Sequence, residues 1–238
     1  MFKKKGKGTV KATERNTAKG TEGKCSMEVV FILDRSGSMS GLEQDTIGGF
    51  NATLKEHKQK NEDITWSTIL FDHETEVIHD RMPIEQVKPL TEKEYYVRGC
   101  TALLDAVGGA ISHTASVHRH MIGKYVPEKT LFVITTDGME NSSTEYSYAK
   151  VKKMISHEQE EYGWEFMFLG ANIDAAAEAG RIGIRPEMAA TYINDERGIA
   201  GNYAAVSCVM GKMTCDREID GTELDAVRRD FAKRGGRQ

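Results

Sequence analysis

Proline and cysteine are scarce in this 238-residue chain, four of each, and it holds only two tryptophans. Cys25, Cys100, Cys208 and Cys215 form no CxxC pair and have no histidine at zinc-finger spacing, which argues against a structural zinc site. No apolar run approaches the ~18 residues that a membrane helix needs, and no apolar stretch closely follows the N-terminal lysines, as a signal peptide would require. The expectation is a cytoplasmic protein with reduced thiols and no membrane association. Cys208 and Cys215 lie seven residues apart, at a spacing that suits one helix face, and are expected as buried small hydrophobes. A GxxxxGK[ST] phosphate loop, a GxSxG nucleophile elbow and an internal repeat are all missing.

Charge is present but uneven. The net charge is −4, yet residues 1–24 carry eight Lys and Arg against Glu14 and Glu22, about +6, leaving the remainder near −10. Residues 1–26 read as a solvated, disordered basic leader, because aromatics that could stack on bases are nearly absent. Residues 1–24 could still touch nucleic acid or an acidic partner.

The chain is organised around EVVFILDRSGS, Glu28 to Ser38. Val29–Leu33 is a short, unbroken apolar run rich in β-branched and aromatic residues, which suits a strand buried on both faces of a parallel sheet. A helix follows over Leu42 to about Lys60, with Ile47, Phe50 and Leu54 on one face. Gly48-Gly49 inside it would permit close approach to the sheet. ITWSTILF (64–71) and TEVIH (75–79) are joined by three residues, so they form an antiparallel hairpin. A second helix carries Leu104, Val107, Ile111 and Thr114 inward. KTLFVITT (129–136) is another buried strand, and a third helix starts near Ser142/Ser143 as N-caps. WEFMFL (164–169) is a strand, Asp174–Ala179 a short helix, Thr191–Ile193 a last short strand, and Glu196–Met213 the last helix, before a loose charged tail over 214–238. The order is that of an α/β, doubly wound, mostly parallel central sheet with one antiparallel edge strand and helices on both faces.

Three oxygen-bearing loops fall at predicted strand or turn ends. Asp34, Ser36 and Ser38 follow the first strand at two-residue spacing; Thr101 sits at the turn opening the second helix; Asp137 follows the strand 129–136. If the first strand and strand 129–136 are neighbours where the sheet order reverses, all three loops meet at one crevice. Oxygen-only donors favour a hard divalent cation, Mg²⁺ or Mn²⁺.

DRSGS, GCTALLDAV and TTDG, in this order and in this fold, resemble a von Willebrand factor A (vWA) domain and its metal-ion-dependent adhesion site, or MIDAS. The resemblance covers about Met27 to Ile184, within a domain expected over 27–213. It implies that Ser36 and Ser38 coordinate the metal directly. Thr101 would reach it directly when a partner is bound and through water otherwise. Asp34 and Asp137 would act mainly through water and by hydrogen-bonding the hydroxyls. It further implies a protein-interaction module, without bond chemistry, in which the metal captures a partner's Asp or Glu. Relatives suggest an AAA+ ATPase or a stress- or defence-system component as partner. Asp105, one turn after Thr101, is expected to brace the loop or face solvent. Two other readings compete: a nucleic-acid scaffold using residues 1–24, and a metal-dependent phosphohydrolase. The latter resembles the DxDxT/V nucleophile loop but has Ser36 where the second carboxylate would stand.

Overall fold

The computed structural model describes residues 25–235. β1 (Met27–Asp34), α1 (Glu43–Gln59), β2 (Ile64–Phe71) and β3 (Thr75–Pro83) form the first half. α2 (Leu103–His120), β4 (Lys129–Thr136), α3 (Tyr148–Tyr162), β5 (Glu165–Ala171), α4 (Ala175–Arg181), β6 (Ala189–Tyr192), α5 (Glu196–Thr214) and α6 (Asp225–Lys233) complete it. The strands form one sheet in the order β3-β2-β1-β4-β5-β6, parallel except for the β2–β3 hairpin. This is the α/β arrangement expected from the sequence.

β1 lies between β2 and β4, pairing Val29 with Trp66 on one side and with Leu131 on the other. It is buried along its whole length, which is why its sequence shows no alternation. Phe31 stacks on Trp66 and meets Phe50 of α1 edge-on, filling one face of the sheet; α1 packs there beside α5. On the other face Phe132 stacks between Trp164 and Phe166, and α2 packs on β1 and β2 with α3 alongside. The outer edge, β3, is mostly solvent-exposed, charged and irregular in register against β2, features that discourage edge-to-edge association.

Several local expectations are corrected. The third helix begins at Tyr148, capped by Ser147, whose hydroxyl accepts from the Lys150 N–H; Ser142 and Ser143 belong to the preceding loop. The space at Gly49 admits the Tyr203 ring of α5, 2.1 Å from where a β-carbon would stand, so the close approach is helix to helix rather than helix to sheet. Cys208 and Cys215 are exposed, because α5 buries Val206, Val209, Met210 and Met213 instead. The chain after Cys215 is not a loose tail throughout: α6 packs on β6 and α5, burying Val227 behind Leu224. Arg228 holds it by donating to the carbonyls of Gly221, Glu187 and Ala189. Backbone carbonyls as partners leave no sequence pattern, so so charged a segment reads as solvated. Residues 1–24, and with them almost all of the expected leader, lie outside the described residues.

Gly198, in the first turn of α5, has a measurable consequence. A β-carbon there would lie 1.9 Å from the carbonyl oxygen of Ile193, a backbone atom that cannot swing away. Gly198→Ala is expected to lower unfolding stability by about 1–3 kcal/mol, read by urea denaturation; an unchanged midpoint would contradict this packing.

Candidate metal centre

Because β1 and β4 are adjacent and parallel, their carboxyl ends deliver Asp34 and Asp137 to the same side of the sheet. The Asp34 carboxylate is buried. Its Oδ1 accepts from the Ser36 N–H at 2.7 Å and its Oδ2 from the Thr136 hydroxyl at 2.7 Å. These bonds fix the turn after β1 that carries both serines. Ser36 Oγ and Ser38 Oγ lie 3.1 Å apart, and the Ser38 hydroxyl donates to Asp137 Oδ1.

The third loop arrives through backbone contacts. The Gly37 N–H donates to the Gly99 carbonyl at 3.2 Å, and Thr101 exchanges hydrogen bonds with Asn141 in the loop after β4. Gly138 shows how tightly the loops converge: a β-carbon there would stand 3.3 Å from Thr101 Oγ1 and 3.7 Å from Ser38 Oγ. The three loops are thus brought together, with Asp34, Ser36, Thr101 and Asp137 buried and Ser38 exposed.

Electrostatically the centre is short of positive charge. Burial pushes the Asp34 carboxyl above its usual range, partly offset by the bonds from Ser36 and Thr136. Burial also raises Asp137, with a further contribution from the neighbouring Asp34 charge and relief from Ser38 and Asn194. Two buried carboxylates raised in this way, beneath three hydroxyl oxygens, form a donor set that fits a small hard cation.

Four contributors were not singled out in the sequence. Tyr95, fully buried, donates its hydroxyl to the Asp34 carbonyl at 2.5 Å. Thr136 bonds Asp34 as described. Asn194, just past β6, donates to Asp137 Oδ2 at 2.9 Å; its place after a strand end was the available signal. The fourth is Arg35, between Asp34 and Ser36. It is fully buried, with Nε donating to Asp72 Oδ2 at 2.9 Å and Nη1 to Glu76 at 2.7 Å. Arg98 Nε reaches the same Asp72 oxygen at 2.8 Å, and the Ala102 N–H donates to the Asp72 carbonyl. Asp72 therefore ties the first loop and the Thr101 loop to the β2–β3 hairpin. Asp72, His73 and Glu74 do bring three potential ligand atoms together, but two guanidiniums already neutralise Asp72, so this is an ion-pair hub. Asp105 braces the loop before α3, accepting from the N–H groups of Thr144, Glu145 and Tyr146.

Compared with solved structures, the chain resembles the vWF domain of the type V pili tip protein Mfa5 from Porphyromonas gingivalis. The TM-score is 0.58 at 10% identity, over 82% of this chain and 98% of that one. The chain has the von Willebrand factor A fold. Other matches are the PilB minor pilin of Streptococcus sanguinis (TM-score 0.53, 10% identity, 82% of this chain, 64% of that one) and a mussel byssus protein, proximal thread matrix protein 1, described with a zinc-occupied MIDAS motif (TM-score 0.53, 13% identity, 79% of this chain, 46% of that one). The vWA fold here thus spans less than two thirds of the pilin and about half of the mussel protein. Neither a family model nor a curated protein matches the chain by sequence. Among the described residues, no helix is long and apolar enough to cross a membrane.

Proposed function

We propose that this vWA domain is a metal-dependent protein-interaction module. A Mg²⁺ or Mn²⁺ ion would be held by Ser36, Ser38 and Thr101, with Asp34 and Asp137 orienting the hydroxyls and bound water. The observation that carries this reading is the convergence of three loops that bring three hydroxyls together with two buried carboxylates whose proton affinities are raised. Mg²⁺ keeps near-octahedral oxygen coordination and sheds water reluctantly. With mainly neutral hydroxyls as direct ligands, the ion would retain most of its charge toward solvent, and an acidic side chain of a protein partner would complete its shell. The ion supplies Lewis acidity for that capture.

Bond chemistry is not part of the reading, since position 36 offers a hydroxyl where a phosphohydrolase of the DxD type would use a second carboxylate. An AAA+ ATPase or a stress- or defence-system component as partner, and a cytoplasmic setting, rest on the sequence resemblance and composition. The nucleic-acid reading rests on residues 1–24, which lie outside the described residues.

The test is an EPR titration of Mn²⁺ into the purified protein. The folded wild type is expected to show one saturable site, and Ser36→Ala/Ser38→Ala to lose it while circular dichroism stays unchanged. Acetate, the smallest carboxylate probe, should then alter the spectrum of bound Mn²⁺. Folded wild type that binds no Mn²⁺ would overturn the proposal.

A further inference from the structure

At the opposite pole from the metal loops, a groove of about 490 Å³ opens between the carboxyl ends of α2 and α3 and the start of β4. Trp164 forms its buried floor. Glu128 and Glu161 stand exposed on its walls, with Arg119 as a counter-charge. Glu158 also lines it, and that residue is anomalous. The residue is only 7% exposed, yet its carboxylate oxygens are not among the enclosed, unpaired ones, so they meet solvent in the groove they line. Burial raises its proton affinity, moderated by His157, His118 and Arg119. His118 offers little more, since its Nε2 is already paired with the buried Glu28 at 2.6 Å. A half-sheltered carboxylate on a groove wall calls for a cation. Around the same groove, Ile122, Tyr125 and Tyr162 are 70%, 60% and 65% exposed, so the surface also offers apolar contact.

The chain itself carries a matching ligand. The described residues begin at Cys25, whose N–H donates to the Thr214 carbonyl at the end of α5, while the Ser26 carbonyl accepts from the N–H groups of Glu128 and Lys129 at 3.0 and 3.1 Å, next to the groove wall. Glu128 is both a groove wall and a neighbour of Cys25. Residues 1–24 precede this point with their eight Lys and Arg and with Phe2. Extended at about 3.3 Å per residue, they have ample reach to cross the groove. Attachment beside the site makes binding intramolecular, so weak charge contacts gain from a high effective concentration.

We propose that the basic leader, residues 1–24, docks on its own domain in this groove, with lysine ammonium groups on Glu158 and Glu161. The inference is independent of the metal reading, since the groove lies at the other end of the sheet.

Zero-length carbodiimide cross-linking of the full chain, followed by peptide mapping, tests it. The expected result is amide links from Lys3, Lys4, Lys5, Lys7 or Lys11 to Glu158 or Glu161 in the monomeric fraction. Links from these lysines to Glu161 and Glu128 should fall about fivefold or more in Glu158→Gln, a near-isosteric change, and in high salt, which screens such contacts. Three results would overturn the proposal: lysines that stay unlinked, links scattered over acidic residues of the whole surface, or links confined to a dimeric fraction, which would make the occupant a second copy's leader. Lysines that remain unlinked but become protected by an added oligonucleotide would assign the leader to nucleic acid instead.

Discussion

Asp72→Ala is expected to lower the unfolding free energy by about 3–5 kcal/mol, the usual cost of stranding one member of a buried ion pair. Arg35 is completely enclosed, and its Nη2 already lacks a partner. Without Asp72 its charge would keep the half-exposed Glu76, the Glu94 carbonyl and the face of the Tyr96 ring, 5.3 Å away. Glu76→Ala, by contrast, should cost no more than about 1 kcal/mol, since a half-exposed partner is screened by solvent. Urea denaturation of the two variants makes the comparison, and equal effects would refute the assignment of Asp72 as the hub. Acidity offers a second check. Burial raises the Asp72 carboxyl, but the bonds from Arg98, the Glu74 N–H and Arg35 outweigh it and leave the carboxyl below its usual value. The unfolded chain then takes up the proton first, at about pH 3.9. The contribution of Asp72 is therefore complete above that pH and is lost as the pH falls through the lower folded value. The gap between wild type and Asp72→Ala should narrow on acidification below about pH 4.

Asp137→Asn should separate stability from metal binding. In the metal-free protein Asp34 and Asp137 are both raised, so the folded state binds their protons more tightly than the unfolded chain does. Stability then declines as the pH rises from the unfolded value through the raised one, and at neutral pH the pair is a net burden. Removing one charge relieves it. The new amide would also suit Asn194, whose Oδ1 is buried without a partner and which could turn to accept a hydrogen bond. The metal-free variant is expected to melt higher than wild type, by about 2–4 °C per kcal/mol for a chain of this size. Its Mn²⁺ affinity should drop about 10–100-fold, as when a group orienting a metal ligand is lost. For wild type, Mn²⁺ at 100 times its dissociation constant should add about 2.7 kcal/mol, and that gain should shrink at low pH as protons compete. Thermal melts with and without Mn²⁺ read both effects. A variant that melts lower than wild type without metal would refute the argument from charge.

Most of the fold was legible because the strongest signals are local. β1 and β4 are continuous apolar runs, the three-residue link between β2 and β3 permits only a hairpin, and α5 shows its buried face over nearly its whole length. The three site loops were legible for the same reason, since each follows a strand or opens a helix. What stayed hidden depends on partners distant in sequence. Arg35 reads as an exposed loop residue until Asp72 is seen beside it. Glu28 sits at the start of an apolar run, yet it is buried against Arg81 and His118. Asn194 is an ordinary turn residue until β6 places it over Asp137. Ser142, Ser143 and Ser147 are equally good caps by type, and Asp105 and Glu140, by binding the backbone between them, delay the helix to the last.

The central position of β1 also bears on biosynthesis. Its β4 neighbour lies about 100 residues later in the chain, so during translation VVFIL can be covered on one side by β2 but not on the other. At ribosomal speeds of ~5–20 residues per second, that flank stays open for roughly 5–20 s. It is a short, uncharged, β-prone segment of the kind that nucleates aggregates. The strand that seats the three converging loops in the finished protein is thus one that stays half-covered while the protein is being made.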